Sequence, residues 1–168
     1  QRMDASSLLA IFSGEELWKT GDEYYPFFAD RNFVYLTGLK CKSAVLLAAK
    51  NQDGSVQERL YLLPPDALAE RWTGARVRPE EAEAVSGMSD VRTVQAFERD
   101  FSALATSGNY GKIYLDLYRF TPEQPDRPSH RLLRRVQKDF AYLAIGNAED
   151  ILRALRLIKQ PCEIDALR

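Results

Sequence analysis

One histidine in 168 residues removes more chemistry than any other feature of this chain. Zinc sites built on HExxH or on several imidazoles need two or more, and Ser-His-Asp or Cys-His hydrolases need one well placed. His130 sits in Arg127-Pro128-Ser129-His130-Arg131, a basic stretch that disfavours a nearby metal cation. It reads as a solvated residue at a helix start. Cysteine is scarce too. Cys41 and Cys162 lie far apart and form no CxxC pair, which fits a reduced, cytoplasmic protein. Apolar runs such as Ala44–Ala49 fall far short of the roughly 20 residues that span a bilayer. The polar start Gln1-Arg2-Met3-Asp4 shows no secretory h-region. Charge of one sign is missing as well: 23 Lys and Arg face 24 Asp and Glu, a net of −1. No global field then favours nucleic acid or a membrane surface.

What is present is a globular composition, 45% hydrophobic and 28% charged. A chain of this length buries roughly 70% of its unfolded surface, enough for one core without disulfide staples. Leu8–Phe12 is a short apolar run closed by Ser13-Gly14 and predicts a buried strand; Phe33–Leu36, closed by Thr37-Gly38, predicts a second. Ala44–Ala49 and Arg59–Leu63 flank Asn51-Gln52-Asp53-Gly54-Ser55, a hairpin signal, and Pro64-Pro65 stops the second arm. Pro79–Val85 reads as a helix, with Pro and acids at its start and Gly87 past its end. Val91–Val94 is a brief strand, Gln95–Thr106 an amphipathic helix and Ile113–Tyr118 another strand.

The last third reads as helical. Ser129 can cap a helix through about Leu143, with Leu132, Leu133, Val136 and Phe140 on one stripe. Its other face carries Arg131, Arg134, Arg135 and Lys138, a solvated face rather than a nucleic-acid surface, since no aromatics interleave. Asn147 caps a further helix, acidic at its start and basic at its end. Pro161 halts it, and Pro161–Arg168 opens another. Strands alternating with helices predict an α/β fold whose sheet is mixed because of the hairpin. Lys40 and Lys42 beside Cys41 are expected to lower its pKa, yet no neighbouring His supports catalysis. Asp116, read as mid-strand, lacks the further acids that metal-dependent phosphodiester chemistry wants. Tyr24, Tyr25, Phe27 and Phe28, beside Pro26, read as a packed turn.

Three segments, in order, carry a family resemblance. Asp22-Glu23-Tyr24-Tyr25-Pro26-Phe27, followed by Asp30 through Gly38, resembles the "D…YPF…(D/N)xxFxYLTG" signature of the aminopeptidase P amino-terminal domain. Glu70-Arg71-Trp72-Thr73-Gly74-Ala75-Arg76 is similar to its "E.WTG.R" element. Leu155–Ile164 resembles the "LRxIKxPxEI" junction that leads into the family's metallopeptidase domain. The resemblance implies a creatinase/prolidase-type amino-terminal domain: a mixed sheet flanked by helices, with a ribonuclease-H-like motif. It sets residues 1–158 as that domain and 159–168 as the start of the linker or helix toward a metallopeptidase domain.

In the family that second domain removes an N-terminal residue preceding proline, using two metal ions, usually manganese. No matching set of two Asp, one His and two Glu is found in this sequence, so the chain alone is expected to be inactive. The resemblance implies a homo-oligomer in which this domain lines the substrate cleft. Asp22 then offers a carboxylate to the substrate's ammonium, or only caps the Tyr24–Pro26 turn. Trp72 closes the pocket, or anchors a core; it is placed in a Gly-rich loop. Arg76 holds that loop or a peptide carbonyl, or pairs with a nearby Glu. The alternative function is a free-standing interaction module with the same fold and no peptidase activity.

Overall fold

The computed structural model describes residues 2–166 and 168. Its centre is a six-stranded sheet made of β1 (Ser7–Phe12), β4 (Val45–Lys50), β5 (Val56–Leu62), β6 (Val91–Thr93), β7 (Lys112–Leu115) and β8 (Ala144–Asn147). Their order is β6-β5-β4-β1-β7-β8, and β4 alone runs against the other five. The expected hairpin is there: β4 and β5 pair from Val45 opposite Tyr61 to Lys50 opposite Val56, with Gly54 at a φ of 85° in the turn.

Alternate residues of each strand feed two cores, one on each face. Leu8 and Ala10 of β1 join Phe97, Phe101, Val136 and Phe140, from α4 (Phe97–Ala105) and α5 (Pro128–Asp139) with its end cap. Leu9 and Ile11 join Phe33, Ala82 and Leu152 from α1 (Arg31–Thr37), α3 (Pro79–Ser86) and α6 (Glu149–Leu157). The result is a three-layer α/β/α sandwich with the mixed sheet flanked by helices.

Several elements differ from the sequence reading. Phe33–Leu36 is not a strand but lies within α1. Asp30 Oδ1 accepts the Asn32 and Phe33 N–H groups at 2.8 and 3.3 Å, and Gly38 closes the helix at a φ of 72°. A short apolar run fits either period, and here the caps at both ends decided. The expected Ser129–Leu143 helix begins with Pro128 rather than with a Ser129 cap and ends at Asp139, a turn takes its last residues, and the unexpected strand β8 follows. The strand Ile113–Tyr118 is shorter, and Asp116 lies just past the end of β7. Two elements had no clear apolar period: the small hairpin of β2 (Trp18–Thr20) and β3 (Glu23–Tyr24), and α2 (Ala67–Thr73). α7 spans Pro161–Ala166, and Leu167 of the expected last helix lies outside the described residues.

His130 is at a helix start but is buried, not solvated. Its Nδ1 accepts the Arg127 N–H at 3.2 Å and its Nε2 lies 3.1 Å from Arg119 Nε. Burial, then the Arg119 guanidinium, holds the imidazole pKa below its ordinary value, so it is neutral at pH 7. The basic face of α5 is solvated yet paired: Arg131 bonds Glu15, Arg134 bonds Asp126 and Arg135 bonds Glu98.

Candidate functional site

Residues from two of the motif segments meet at one cavity of about 230 Å³. Phe27 reaches it from the loop after β3, Lys40, Cys41 and Lys42 from the loop after α1, Thr73 from the end of α2, and Gly74 through Val77 from the segment that follows. Leu62 and Leu63 at the end of β5 complete its apolar side.

Local sequence explains how the α2 segment is held. Asp66 caps α2 by accepting the Leu68 and Ala69 N–H groups at 3.1 and 3.0 Å. Glu70 reaches back to the Asp66 N–H at 2.9 Å and takes a two-pronged bond from Arg78 at 3.0 and 2.8 Å. The Asp66 N–H, aided by the Arg78 guanidinium, keeps the Glu70 carboxyl below its ordinary range. Gly74, at a φ of 84°, then turns the chain toward Arg76.

Arg76 ties this loop to the sheet. Its Nη1 donates to the Pro64 carbonyl at 2.6 Å, and its Nη2 lies 3.7 Å from Asp66 Oδ2. The partner is thus an aspartate and a backbone carbonyl rather than a glutamate. Its Nε is buried and has no hydrogen-bond partner among the described residues. Lys42 is engaged with Glu16 at 2.6 Å. Cys41 departs from expectation: burial, joined by the nearby Glu81 carboxylate, pushes its thiol up.

Trp72 stands on the last turn of α2, not in a loop, and is 85% exposed, which excludes a core anchor. It does not line the cavity, although the next residue does. Asp22 sits in the β2–β3 turn, exposed, with no side-chain hydrogen bond or ion pair among the described residues, so it does not cap the Tyr24–Pro26 turn. Arg76 and the loops around it are therefore brought together, while Asp22 and Trp72 both face solvent outside that cavity. Tyr24, Tyr25 and Phe28 are exposed, not packed; of the four aromatics there only Phe27 is half-buried.

Asp116 is buried but committed: Asn32 Nδ2 donates to its Oδ2 at 2.7 Å and the Tyr118 N–H to its Oδ1 at 3.3 Å. Among the described residues no group of three or more His, Cys, Asp or Glu is placed to hold a metal ion. The side chains present do not fit a resident manganese site. Nor is any helix among the described residues long and apolar enough to cross a membrane.

The sandwich, with its one reversed strand and residues of two motif segments at one cavity, defines a three-layer α/β domain with a mixed sheet. The family described as Aminopeptidase P, N-terminal domain, matches residues 1–114, and the chain belongs to it. Xaa-Pro aminopeptidase 2 of Streptomyces coelicolor is 29% identical over 95% of this chain and 33% of its own length. Human Xaa-Pro aminopeptidase 3 is 24% identical over 95% of this chain and 32% of its own length. An aminopeptidase P structure from Bacillus anthracis superposes with a TM-score of 0.90 at 28% identity, covering 97% of this chain and 39% of that one. The low-pH form of Escherichia coli aminopeptidase P, at 21% identity and a TM-score of 0.78, shares the fold over 98% of this chain and 38% of that one. The chain spans about a third of the length of the curated relatives that it matches over nearly its whole length.

Proposed function

We propose that this chain is the non-catalytic N-terminal domain of a manganese-dependent Xaa-Pro aminopeptidase. Residues 1–158 form the domain and 159–168 begin the connection to the metallopeptidase domain. Bond cleavage belongs to that second domain, and no hydrolytic step is assigned to side chains of this chain. Its work is specificity. An enzyme that removes one residue before proline needs a wall that ends the cleft and a group that reads the free amine. Trp72 supplies the wall and Asp22 the carboxylate, and Arg76 holds the loop behind Trp72 in place. The exposed apolar rim from Leu17 to Phe28 supports the homo-oligomer, in which the domain of one subunit borders the cleft of another. The reduced-cysteine and charge arguments support a cytoplasmic peptidase acting on peptide rather than on nucleic acid or a membrane.

The observation that carries this reading is Trp72, an indole 85% exposed at the end of a capped helix. Trp is among the residue types most enriched at binding contacts. In the full-length enzyme this reading implies, Trp72→Ala lowers kcat/KM for an Xaa-Pro peptide by roughly ten- to a hundredfold, from a lost contact of about 1–3 kcal/mol. Unchanged kinetics in a folded Trp72→Ala enzyme would overturn the pocket role.

A further inference from the structure

The one histidine of the chain is buried where the loop between β7 and α5 returns to the sandwich. We propose that His130 is a pH-sensitive latch: its neutral ring holds the loop 117–127 against α5, and protonation releases that loop. The roles proposed for Asp22, Trp72 and Arg76 do not involve this residue, so the latch stands or falls apart from them.

The two ends of the loop meet at the ring. Arg119, near the start, places its Nε 3.1 Å from His130 Nε2. Arg127, at the end, donates its backbone N–H toward His130 Nδ1 at 3.2 Å, and the His130 N–H returns to the Arg127 carbonyl at 2.9 Å. The same two arginines fold the loop on itself. Arg119 donates to the Gln124 carbonyl and to Asp126, and Arg127 donates to the Tyr118 carbonyl. The Phe120 N–H closes the tip by donating to Gln124 Oε1 at 2.7 Å. A further tie to α5, Arg134 to Asp126, is exposed on the arginine side and holds little by itself.

A second ring proton has no place in this arrangement. Each ring nitrogen faces an N–H donor, and a neutral imidazole keeps one bare nitrogen to accept with. Protonation removes that acceptor and leaves both donors facing N–H groups. The new charge also lies beside two guanidiniums, Arg119 from the loop and Arg127 at the head of α5. The Leu117 backbone and the Asp116 carboxylate favour the charged ring, but Asp116 already accepts from Asn32 and Tyr118. Asp126 and Asp30 pair with the two arginines. Closure therefore selects the neutral ring. The loop is held above the folded midpoint and freed as pH falls through it, since the released ring takes its proton more readily.

As the sole histidine, His130 titrates without overlap in an NMR spectrum of the 168-residue chain. Its midpoint is expected below the ordinary value of 6.5. Amide order parameters across 119–126 should fall from about 0.85 toward 0.6 through that same midpoint. Those of β7 and α5 should hold, which separates release from acid unfolding. Arg119→Gln, at a half-buried position, removes one guanidinium, and the His130 midpoint should rise. His130→Gln stays neutral, and its loop should show no such step; if that variant does not fold, Arg119→Gln decides alone. A loop that stays ordered around a protonated ring, a loosening unrelated to the His130 midpoint, or a midpoint unmoved in Arg119→Gln would each overturn the proposal.

Discussion

Aromatic residues occupy two opposite settings in this molecule. On the α4–α5 side of the sheet, Phe97 meets Tyr61 edge to face with ring centroids 5.4 Å apart, and Phe101 meets Phe140 at 5.6 Å. In and beside the β2–β3 hairpin, Trp18, Tyr24, Tyr25 and Phe28 stand in solvent, as does Trp72 on α2. The residue types are alike, and only the presence of a facing layer differs. α4 and α5 cover one side of the sheet, whereas a hairpin of three residues against two has no third layer to bury its rings. Hydrophobicity selects residues for a core only where the topology supplies an opposite wall.

The largest break in that comparison is expected at Phe101, which is fully buried against Phe97 and Phe140. Phe101→Ala should cost about 3–5 kcal/mol in a denaturant melt, from lost transfer energy plus a cavity. A cost below ~1 kcal/mol would mean that the core side is as loosely packed as the hairpin.

Asp100 comes next, the buried acid beside the same aromatics. Burial by itself raises its carboxyl, but bonds from Arg92 at 2.7 Å, Arg99 and Tyr61 outweigh this and leave it below the ordinary range. The same pair, with burial as the leading cause, pushes the Tyr61 hydroxyl up to about 12. Asp100→Asn should cost about 1–3 kcal/mol at pH 7. A depressed folded pKa means that the stabilisation is present above the unfolded value near 3.9 and is lost as pH falls through the folded one. Wild-type and variant melts should therefore begin to converge below about pH 4 and draw together as the folded carboxyl takes up its proton. Parallel curves down to acid would remove Asp100 from the linkage.

Asp30→Ala tests the cap that turns Phe33–Leu36 from strand to helix. It removes the two N–H bonds and the Arg127 partner 3.2 Å away, and should cost about 1 kcal/mol. Amide exchange across Arg31–Thr37 should rise before the sheet responds. Exchange that rises equally everywhere would make α1 part of the global unit.

The smallest effect belongs to the exposed side. Trp72→Ala should leave the domain's stability within about 0.5 kcal/mol, since almost nothing covers the ring. A loss as large as that at Phe101 would erase the contrast between the two settings.

Much of the sheet was legible because its strands signal themselves. β1, β4, β5, β6 and β7 carry short apolar runs bounded by Gly, Pro or polar turns, and Asp53-Gly54 marks the hairpin of the six-stranded sheet. α3, α4 and α6 carry their own caps or stripes. Phe33–Leu36 reads as a strand because four apolar residues have no measurable period, and β8 gives no signal because Ala144-Ile145-Gly146-Asn147 holds a single large apolar residue. β8 forms because β7 offers its open edge, pairing Ile113 with Ile145. α2 was hidden by exposure: a helix with no buried residue leaves no hydrophobic stripe to detect.

The same division holds for the candidate site. The motif residues Asp22, Trp72 and Arg76 could be read from order and spacing, as could the family. Their surroundings could not. Whether Trp72 is buried, which carbonyl Arg76 grips and whether Cys41 faces its lysines or an apolar wall depend on loops 27–42 and 62–77 arriving at one place. Local sequence determined β1, β4, β5, β6 and β7, the caps and the family motifs, because those rest on residues close together in the chain. The tertiary structure decided burial, the pairing of α5's arginines and the cavity behind Arg76, because each depends on chain segments that meet only once the sheet has formed.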